Sequence, residues 1–218
     1  VAVVIGASRG IGRGIASELG KEGYVVYCTG RSSRGGELTV QRTAELVTQN
    51  GGEGIAVRLD ATDDGALRAL AQRVASERDN KIDVLAYAAF QTPETDPATF
   101  RDPFWTQGAA MWDTCHGIGL RSAYATLCAF ASERLIVHDD DRARGSGRPL
   151  VAVVSSFGGT SYTFNVAYGV GKAALDRLCR DAALELSSSA DVVSLYPGVV
   201  RTENNLDLDR QGKWDVAS

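Results

Sequence analysis

Val1-Ala-Val-Val-Ile-Gly-Ala-Ser-Arg-Gly-Ile-Gly12 opens the chain and decides its fold. The first five residues form a continuous apolar run rich in β-branched side chains, which is typical of a strand buried on both faces of a parallel sheet. Ile11, Ile15 and Leu19 then recur every four residues and predict an amphipathic helix. A glycine-rich turn therefore joins a buried strand directly to the N-terminus of a helix.

The same alternation of strand and helix continues along the chain. Further strands are predicted at 24–29, 55–60, 82–86, 150–154 and 192–196, and further helices after residue 36 as far as 50, around 67–74, at 109–135 and at 166–187. Residues 91–108 and 138–149 are predicted as loops, and the tail after Thr202 shows no clear periodicity. This order predicts an α/β fold, a Rossmann-like doubly wound parallel sheet in a three-layer αβα arrangement, formed as a single domain by residues 1–218.

Composition excludes several classes of protein. With 218 residues and a net charge of −4, the chain is not expected to bind nucleic acid. No apolar run reaches the roughly 18 residues of a membrane span, so none is expected. Four cysteines lie far apart without a Cys-x-x-Cys pair and are expected to be reduced thiols of a cytoplasmic protein. Only two histidines are present, and no metal site is expected.

The turn between the first strand and helix predicts a phosphate site. A helix N-terminus offers free N–H groups, and glycines let the backbone approach a dinucleotide pyrophosphate closely. The spacing is Gly-x-x-x-Gly-x-Gly and differs from the usual Gly-x-Gly-x-x-Gly fingerprint. Simple turn chemistry is the alternative. The candidate cofactor contacts in this turn are Gly6, Ser8, Arg9, Gly10, Ile11 and Gly12.

The end of the second strand bears on which dinucleotide would bind. An NAD site commonly has an acidic residue about 20 residues after the glycines, where it holds the ribose 2′-hydroxyl. Here the strand ends Cys28-Thr-Gly-Arg31, without a carboxylate. Arg31 and Arg9 could together bind a 2′-phosphate, so NADP(H) is preferred over NAD(H). The alternative is that both are solvated surface arginines.

A tyrosine and a lysine four residues apart begin the helix predicted at 166–187. The spacing sets Tyr168 and Lys172 on one helix face. A nearby ammonium is expected to lower the pKa of the phenol, which could then exchange a proton with a carbonyl or alcohol oxygen. Ser155 and Ser156 end the fifth strand at the sheet edge where ligands bind in such folds. Tyr-x-x-x-Lys by itself is weak evidence and is often surface decoration.

With Asp60, Ser156 and Pro197-Gly-x-x-x-Thr202, these motifs resemble the classical short-chain dehydrogenase/reductase family from Val1 to about Thr202. Longer stretches such as Phe164–Ala174 resemble one branch of that family in particular. The resemblance implies a reversible carbonyl/alcohol reaction of a small molecule with NAD(P), in a homodimer or homotetramer. It implies that Tyr168 is the acid/base, that Ser156 orients the substrate, and that Lys172 holds the nicotinamide ribose and lowers the tyrosine pKa.

The resemblance also implies further cofactor contacts, namely Asp60, Ala61, Pro197, Gly198, Val200 and Thr202. Ser156-Phe-Gly-Gly matches the family's Ser-x-x-Gly pattern, whereas Ser155 has the commoner distance of 13 residues to Tyr168. We therefore choose Ser156 and keep Ser155 as the alternative.

Three departures from the family pattern stand out. The Asn-Asn-Ala-Gly that usually follows the fourth strand is absent, with about three residues fewer between Leu85 and Ala86, and Gly119 occupies the position of the family's helix asparagine. Family members also continue to a seventh strand, so we expect the 218 residues to be part of a longer chain whose tail after about residue 202 covers the substrate. These departures keep a second function open, a non-catalytic NADP-binding sensor or scaffold.

Overall fold

The computed structural model describes residues 1–32, 35–91, 100–137 and 147–213. Its strands are β1 (Ala2–Ile5), β2 (Val25–Gly30), β3 (Glu53–Arg58), β4 (Val84–Tyr87), β5 (Leu150–Val154) and β6 (Asp191–Leu195). They form one six-stranded parallel sheet in the order β3-β2-β1-β4-β5-β6. The strand order reverses at β1, and in open α/β sheets ligands bind outside the carboxyl ends of the strands at such a point. The predicted doubly wound parallel sheet is confirmed.

The helices cover both faces of the sheet, as predicted. They are α1 (Gly10–Lys21), α2 (Val40–Gln49), α3 (Asp64–Glu77), α4 (Phe104–His116), α5 (Ser122–Ser132), α6 (Val166–Glu185) and α7 (Glu203–Arg210). Successive residues of β1 point to opposite faces. Val4 packs with Ala16 and Val47 of α1 and α2, while Val3 shares a core with α3, α5 and α6.

The single helix predicted at 109–135 is wrong in its extent. Helix α4 begins at Phe104, inside the predicted loop, and is kinked at Gly108, whose φ is 67°. A π-helical turn over Gly117–Arg121 separates α4 from α5, which ends at Ser132. Only glycine adopts such a φ freely. The hydrophobic period of the sequence continues through the kink and the π-helical turn and therefore does not reveal them.

The tail after Thr202 contains a helix that its polar sequence did not indicate. Thr202 caps α7 by accepting a hydrogen bond from the backbone N–H of Asn205 at 3.2 Å. No residue of α7 is buried, so the helix has no apolar row from which it could be predicted. Residues 214–218, and the predicted loop positions 92–99 and 138–146, lie outside the described residues.

The short junction after Leu85 lies inside a regular strand. Leu85 pairs with Val3 and Val151, and Ala86 pairs with Val4 and with β5, so β4 runs through this junction without a break. Within the described ranges, no helix is long and apolar enough to cross a bilayer. The same ranges contain no group of three or more side chains suited to hold a metal ion.

Candidate active site

The turn between β1 and α1 is so tight that two of its positions admit only glycine. Gly6 has a φ of 88°, and a Cβ added there would lie 2.7 Å from the backbone of Ala89. A Cβ on Gly12 would lie 2.2 Å from the carbonyl oxygen of Gly6. Arg9, at the N-cap of α1, provides no side-chain hydrogen bond to the helix. The turn therefore directs the first N–H groups of α1 outward, where a phosphate group would fit.

The loop after β6 folds over the same turn. A Cβ added to Gly10 would lie 3.5 Å from Thr202 Cγ2. The next residue, Glu203, accepts a hydrogen bond from the backbone N–H of Gly10 at 2.7 Å. Its second carboxylate oxygen lies 3.8 Å from the Arg13 guanidinium. A carboxylate of the chain itself thus holds the anion position at the N-terminus of α1.

The other predicted cofactor contacts lie in the three connections that follow β1, β3 and β6 at this edge of the sheet, namely Ser8, Ile11, Ala61, Pro197, Gly198 and Val200. Gly198 has a φ of 70° and open space around it, so it lets the chain turn away from β6 without a close contact. The carbonyl oxygen of Val200 accepts a hydrogen bond from Thr202 at 2.8 Å. This bond shapes the loop that carries Thr202 back to the glycine turn.

Arginine side chains surround a cavity of about 560 Å³ beside the ends of β2 and β3. Arg9 and Arg31, the two arginines predicted from the sequence to bind a 2′-phosphate, both line it, and Arg58 at the end of β3 joins them. The Arg31 guanidinium donates to Gln91 at 2.9 Å, and that of Arg9 lies 3.5 Å from the Ser32 hydroxyl. Both hydrogen-bond partners are neutral, so an anion entering the cavity would not have to displace a carboxylate bonded to either guanidinium.

Carboxylates near this cavity are already bonded. Glu37, on the cavity wall, accepts a hydrogen bond from Arg42 at 3.0 Å. Asp60 accepts from the Thr62 N–H at 3.0 Å and from its hydroxyl at 2.8 Å. The Thr62 N–H is the main reason that the pKa of Asp60 lies below its usual value, with the Arg31 charge adding to it against the effect of burial. Asp60 is therefore an ionised carboxylate held in a fixed orientation.

Asn165 determines where α6 begins and so where Tyr168 stands. Its side chain accepts a hydrogen bond from the backbone N–H of Tyr168 at 2.9 Å and donates to the carbonyl of Phe100 at 2.9 Å. The Tyr168 ring packs edge-on against Phe164 and Phe90, at centroid distances of 5.1 and 5.7 Å. The Phe100 ring lies 6.1 Å from it as well. One cap and three aromatic neighbours therefore hold Tyr168 in the first turn of α6.

The two serines after β5 point to different surroundings. Ser156 accepts a hydrogen bond from Gly158 at 3.1 Å, in a 3₁₀ turn against which the Tyr168 ring lies. A Cβ on Gly158 would come within 2.7 Å of that ring. Ser155 is buried, and its hydroxyl donates to the carbonyl of Lys172 at 3.3 Å. Of the two hydroxyls, that of Ser156 is the one on the Tyr168 side.

Lys172 is buried, with 6 % of its surface exposed. Its ammonium donates to the carbonyl of Val154 at 3.1 Å and lies 4.7 Å from the centroid of the Phe90 ring and 5.7 Å from that of Tyr168. Burial lowers the pKa of Lys172 to about 8, because the charged form loses its hydration.

The effect on Tyr168 differs from the sequence-based expectation. Burial raises the pKa of Tyr168, and hydrogen bonding with Ser156 opposes the rise. The Lys172 ammonium faces a carbonyl oxygen and two aromatic rings. The expected lowering of the phenol pKa by the ammonium is therefore wrong for this arrangement, because desolvation dominates.

Ala89 and Phe90, just after β4, join the two halves of the site. Ala89 contacts Gly6 of the phosphate turn, and Phe90 contacts both Lys172 and Tyr168. A Cβ on Gly119 would lie 3.3 Å from the Phe90 ring. Phe90 thus takes space beside the position where the family carries its helix asparagine.

The chain resembles known proteins over almost its whole length. A family model described as short chain dehydrogenase matches residues 1–212. The chain belongs to the short-chain dehydrogenase/reductase family. Membership agrees with the fold and with the convergence of the glycine turn, the serine, the tyrosine and the lysine at one edge of the sheet.

Two individual members of the short-chain dehydrogenase/reductase family are similar to this chain over most of its length. Dehydrogenase/reductase SDR family member 1 from Homo sapiens is 41% identical over 204 residues, covering 93% of this chain and 61% of the relative. This confirms the resemblance to one branch and means that the chain spans about 61% of that relative's length. The 3-oxoacyl-(acyl-carrier-protein) reductase FabG of Pseudomonas aeruginosa is 30% identical over 210 residues, covering 95% of this chain and 76% of that protein.

A solved structure supports the fold of this family member. The crystal structure of a 3-oxoacyl-(acyl-carrier protein) reductase from Brucella melitensis superposes with a TM-score of 0.77 and 23% identity. The match covers 97% of this chain and 80% of that one.

Sequence reasoning missed several residues that shape this short-chain dehydrogenase/reductase site. Asn165 had a detectable signal, since asparagine just before a helical pattern is a typical N-cap. Arg58 ends a strand predicted to reach the same edge of the sheet, and this position was a usable signal as well. Phe90 and Glu203 had none, because their contacts are with Lys172 and Gly10, far away along the chain.

Proposed function

We propose that this chain forms the cofactor-binding and catalytic part of an NADP(H)-dependent oxidoreductase that interconverts a carbonyl and a secondary alcohol. The observation that carries the proposal is the convergence of Ser156, Tyr168 and Lys172 at the carboxyl edge of the sheet. One residue, Phe90, links this group to the strand end that contacts the glycine turn. The substrate would be a small-molecule carbonyl or alcohol.

The residues present fit a dinucleotide phosphate. The turn Gly6–Gly12 leaves no room for a Cβ at its two ends, so its backbone can come close to a pyrophosphate. Arg9, Arg31 and Arg58 around one cavity favour a dinucleotide that carries a 2′-phosphate. Asp60 and Ala61 would border the adenine, and Lys172 with the loop from Pro197 to Thr202 would hold the nicotinamide end.

Side chains of the protein would carry out the proton transfer of the reaction. When bound, the nicotinamide supplies the hydride that passes to the carbonyl carbon. Burial keeps the Tyr168 phenol protonated at neutral pH, so it can donate a proton to the carbonyl oxygen. The Ser156 hydroxyl would hydrogen-bond the same oxygen and orient it. The Lys172 ammonium would stabilise the phenolate left on Tyr168 and hold the ribose.

On this proposal the chain contains a competitor for the phosphate. Glu203 already accepts a hydrogen bond from the Gly10 N–H at 2.7 Å. A pyrophosphate that binds the N-terminus of α1 would take the place of this carboxylate, because both are anions that use the same N–H groups.

Turnover with a panel of carbonyl compounds, followed by NADPH absorbance, tests the catalytic role. We expect Tyr168→Phe to lower kcat by about two to four orders of magnitude, the range for loss of a general acid. Tyr162→Phe is the matched control, because Tyr162 is 77% exposed. Equal activity of Tyr168→Phe and the unmodified protein would overturn the assignment. NADPH binding without turnover of any compound would instead support the sensor or scaffold function.

The cofactor preference has its own test. Arg31→Asp should weaken NADPH binding much more than NADH binding, because only NADPH carries the 2′-phosphate. Arg180→Asp, a change at an exposed position of α6 away from the arginine cavity, is the control. Equal losses for both dinucleotides would contradict a role of Arg31 at the 2′-phosphate.

The proposal also includes assembly into a homo-oligomer and a cytoplasmic location. A homodimer or homotetramer is supported by large apolar side chains exposed on α4 and α6, which pack against each other, namely Trp105, Trp112, Val166 and Val170. Light scattering of the purified protein measures this state directly. The free thiols of all four cysteines agree with a cytoplasmic location.

A further inference from the structure

The immediate neighbours of the Lys172 ammonium do little to stabilise its positive charge. Among the described residues, its ammonium donates a hydrogen bond to the Val154 carbonyl and lies beside the rings of Phe90 and Tyr168. A buried ammonium without an anion tends to lose its proton. The titratable groups facing Lys172 are Cys115 from α4 and, from α6 itself, Tyr168 and Asp176.

Asp176 lies one helical turn after Lys172, on the same face of α6. One carboxylate oxygen accepts a hydrogen bond from the Ser194 hydroxyl of β6 at 2.5 Å. The other accepts from the Tyr196 hydroxyl, just after β6. Two hydroxyl donors from one strand end therefore hold both carboxylate oxygens in a fixed orientation.

The same carboxylate also contacts the turn that follows Ser156. A Cβ on Gly159 would lie 2.6 Å from Asp176 Oδ2 and 2.9 Å from the backbone N of the residue after Lys172. The Ser156 turn can approach α6 this closely only because residue 159 is glycine. Asp176 thus touches the three segments that carry Ser156, the Tyr168–Lys172 pair and the loop beginning at Pro197.

We propose that Asp176 is a positioning residue, whose carboxylate keeps the Lys172 ammonium protonated and joins the Ser156 turn and the end of β6 to α6. The inference rests on the proposed function, which needs that ammonium. The direction of the charge effect agrees, because the negative charge of Asp176 raises the pKa of Lys172 against the larger effect of burial.

Asp176→Asn tests the charge without changing the size of the side chain. Removal of a negative charge one turn away should lower the pKa of Lys172 by about one unit. The protein contains four lysines. A pH titration of the protein with ¹³C-labelled lysine, followed by NMR without cofactor, therefore has few signals, and Lys172→Met assigns the relevant one.

Three further variants make the result specific. Asp181→Asn removes an exposed carboxylate of α6 that is paired with Arg177 and should leave the titration of Lys172 in place. Asp176→Glu keeps the charge and should restore a midpoint near that of the unmodified protein. Asp176→Ser, also neutral, replaces the asparagine variant if that variant does not fold.

Activity provides the second readout. In Asp176→Asn the high-pH limb of the kcat/KM profile should move down by the same roughly one unit, whereas a purely structural defect would lower the profile at every pH without moving its limb. An unchanged Lys172 midpoint in folded Asp176→Asn or Asp176→Ser overturns the inference. A shifted midpoint in a protein that turns over no carbonyl compound would contradict the proposed function and leave the charge coupling in place.

Discussion

Glu203→Gln probes the contact between the tail and the phosphate turn. The Glu203 carboxylate is 2.7 Å from the Gly10 N–H and 3.8 Å from the Arg13 guanidinium. Helix α1 has no acidic residue in its first turn and no side-chain cap, so this carboxylate acts as its N-terminal anion. Glutamine keeps the length and one acceptor oxygen and removes only the charge.

The size of the expected effect follows from the free energy by which a negative charge stabilises a helix N-terminus. Such a charge contributes about 1 kcal/mol when partly buried. Without cofactor, the free energy of unfolding should fall by about that amount, and Tm by about 2–4 °C for a protein of this size. With cofactor, the phosphate no longer displaces a charged group, so NADPH should bind about fivefold more tightly.

Calorimetric unfolding of the cofactor-free protein and fluorescence titration with NADPH measure the two effects. Glu18→Gln is the control, since Glu18 is on the same helix but pairs with Lys21 near its other end, at 2.7 Å. The reasoning requires opposite signs, lower stability and tighter binding. If Glu203→Gln lowers Tm but leaves NADPH affinity unchanged or weaker, the carboxylate does not stand where the phosphate binds.

Three further perturbations test other parts of the site. Gly12→Ala should abolish NADPH binding or folding, because its Cβ would lie 2.2 Å from the carbonyl oxygen of Gly6. Gly14→Ala is the control: Gly14 has open space around it, so this change should be neutral or stabilising in thermal unfolding. Similar effects of the two variants would contradict the turn geometry. Tyr87→Phe removes a hydrogen bond of 2.5 Å to the Ile118 carbonyl in the π-helical turn and should cost about 1–2 kcal/mol in urea unfolding, and no loss would show that water replaces the hydroxyl. Lys172 titrates near 8 when folded and near 10.5 when unfolded, so the unfolded chain binds more protons between these values and stability rises with pH there. Lys172→Met should therefore be more stable at pH 7 by roughly 2–3 kcal/mol, with the difference shrinking toward pH 10, and a constant difference would refute this linkage.

The first strand and helix were predictable because their signals are local. A β-branched apolar run followed by glycines and a four-residue apolar period is contained within Val1–Leu19. The placement of Tyr168 and Lys172 on one helix face was equally predictable, since their i, i+4 relation is a property of one helix. Their surroundings were not, because Phe90 reaches them from the end of another strand.

The central helices show the opposite case. The apolar period over 109–135 is real, and it cannot distinguish a straight helix from two helices joined by a π-helical turn. At the break, the Ile118 carbonyl accepts a hydrogen bond from the Tyr87 hydroxyl, and the Gly117 carbonyl accepts one from the Ser122 hydroxyl. The Tyr87 partner comes from β4, so tertiary packing stabilises a local geometry that the period leaves open.

The sequence by itself determined the order of strands and helices, the glycine turn and the residue types at the site, because periodicity and turn chemistry act between neighbours along the chain. Only the tertiary structure decided which serine faces Tyr168, that Glu203 occupies the N-terminus of α1, and that burial raises the pKa of Tyr168. These properties depend on distances between residues far apart in the chain and on the removal of water from around them. Both arise only when the sheet and its helices have come together.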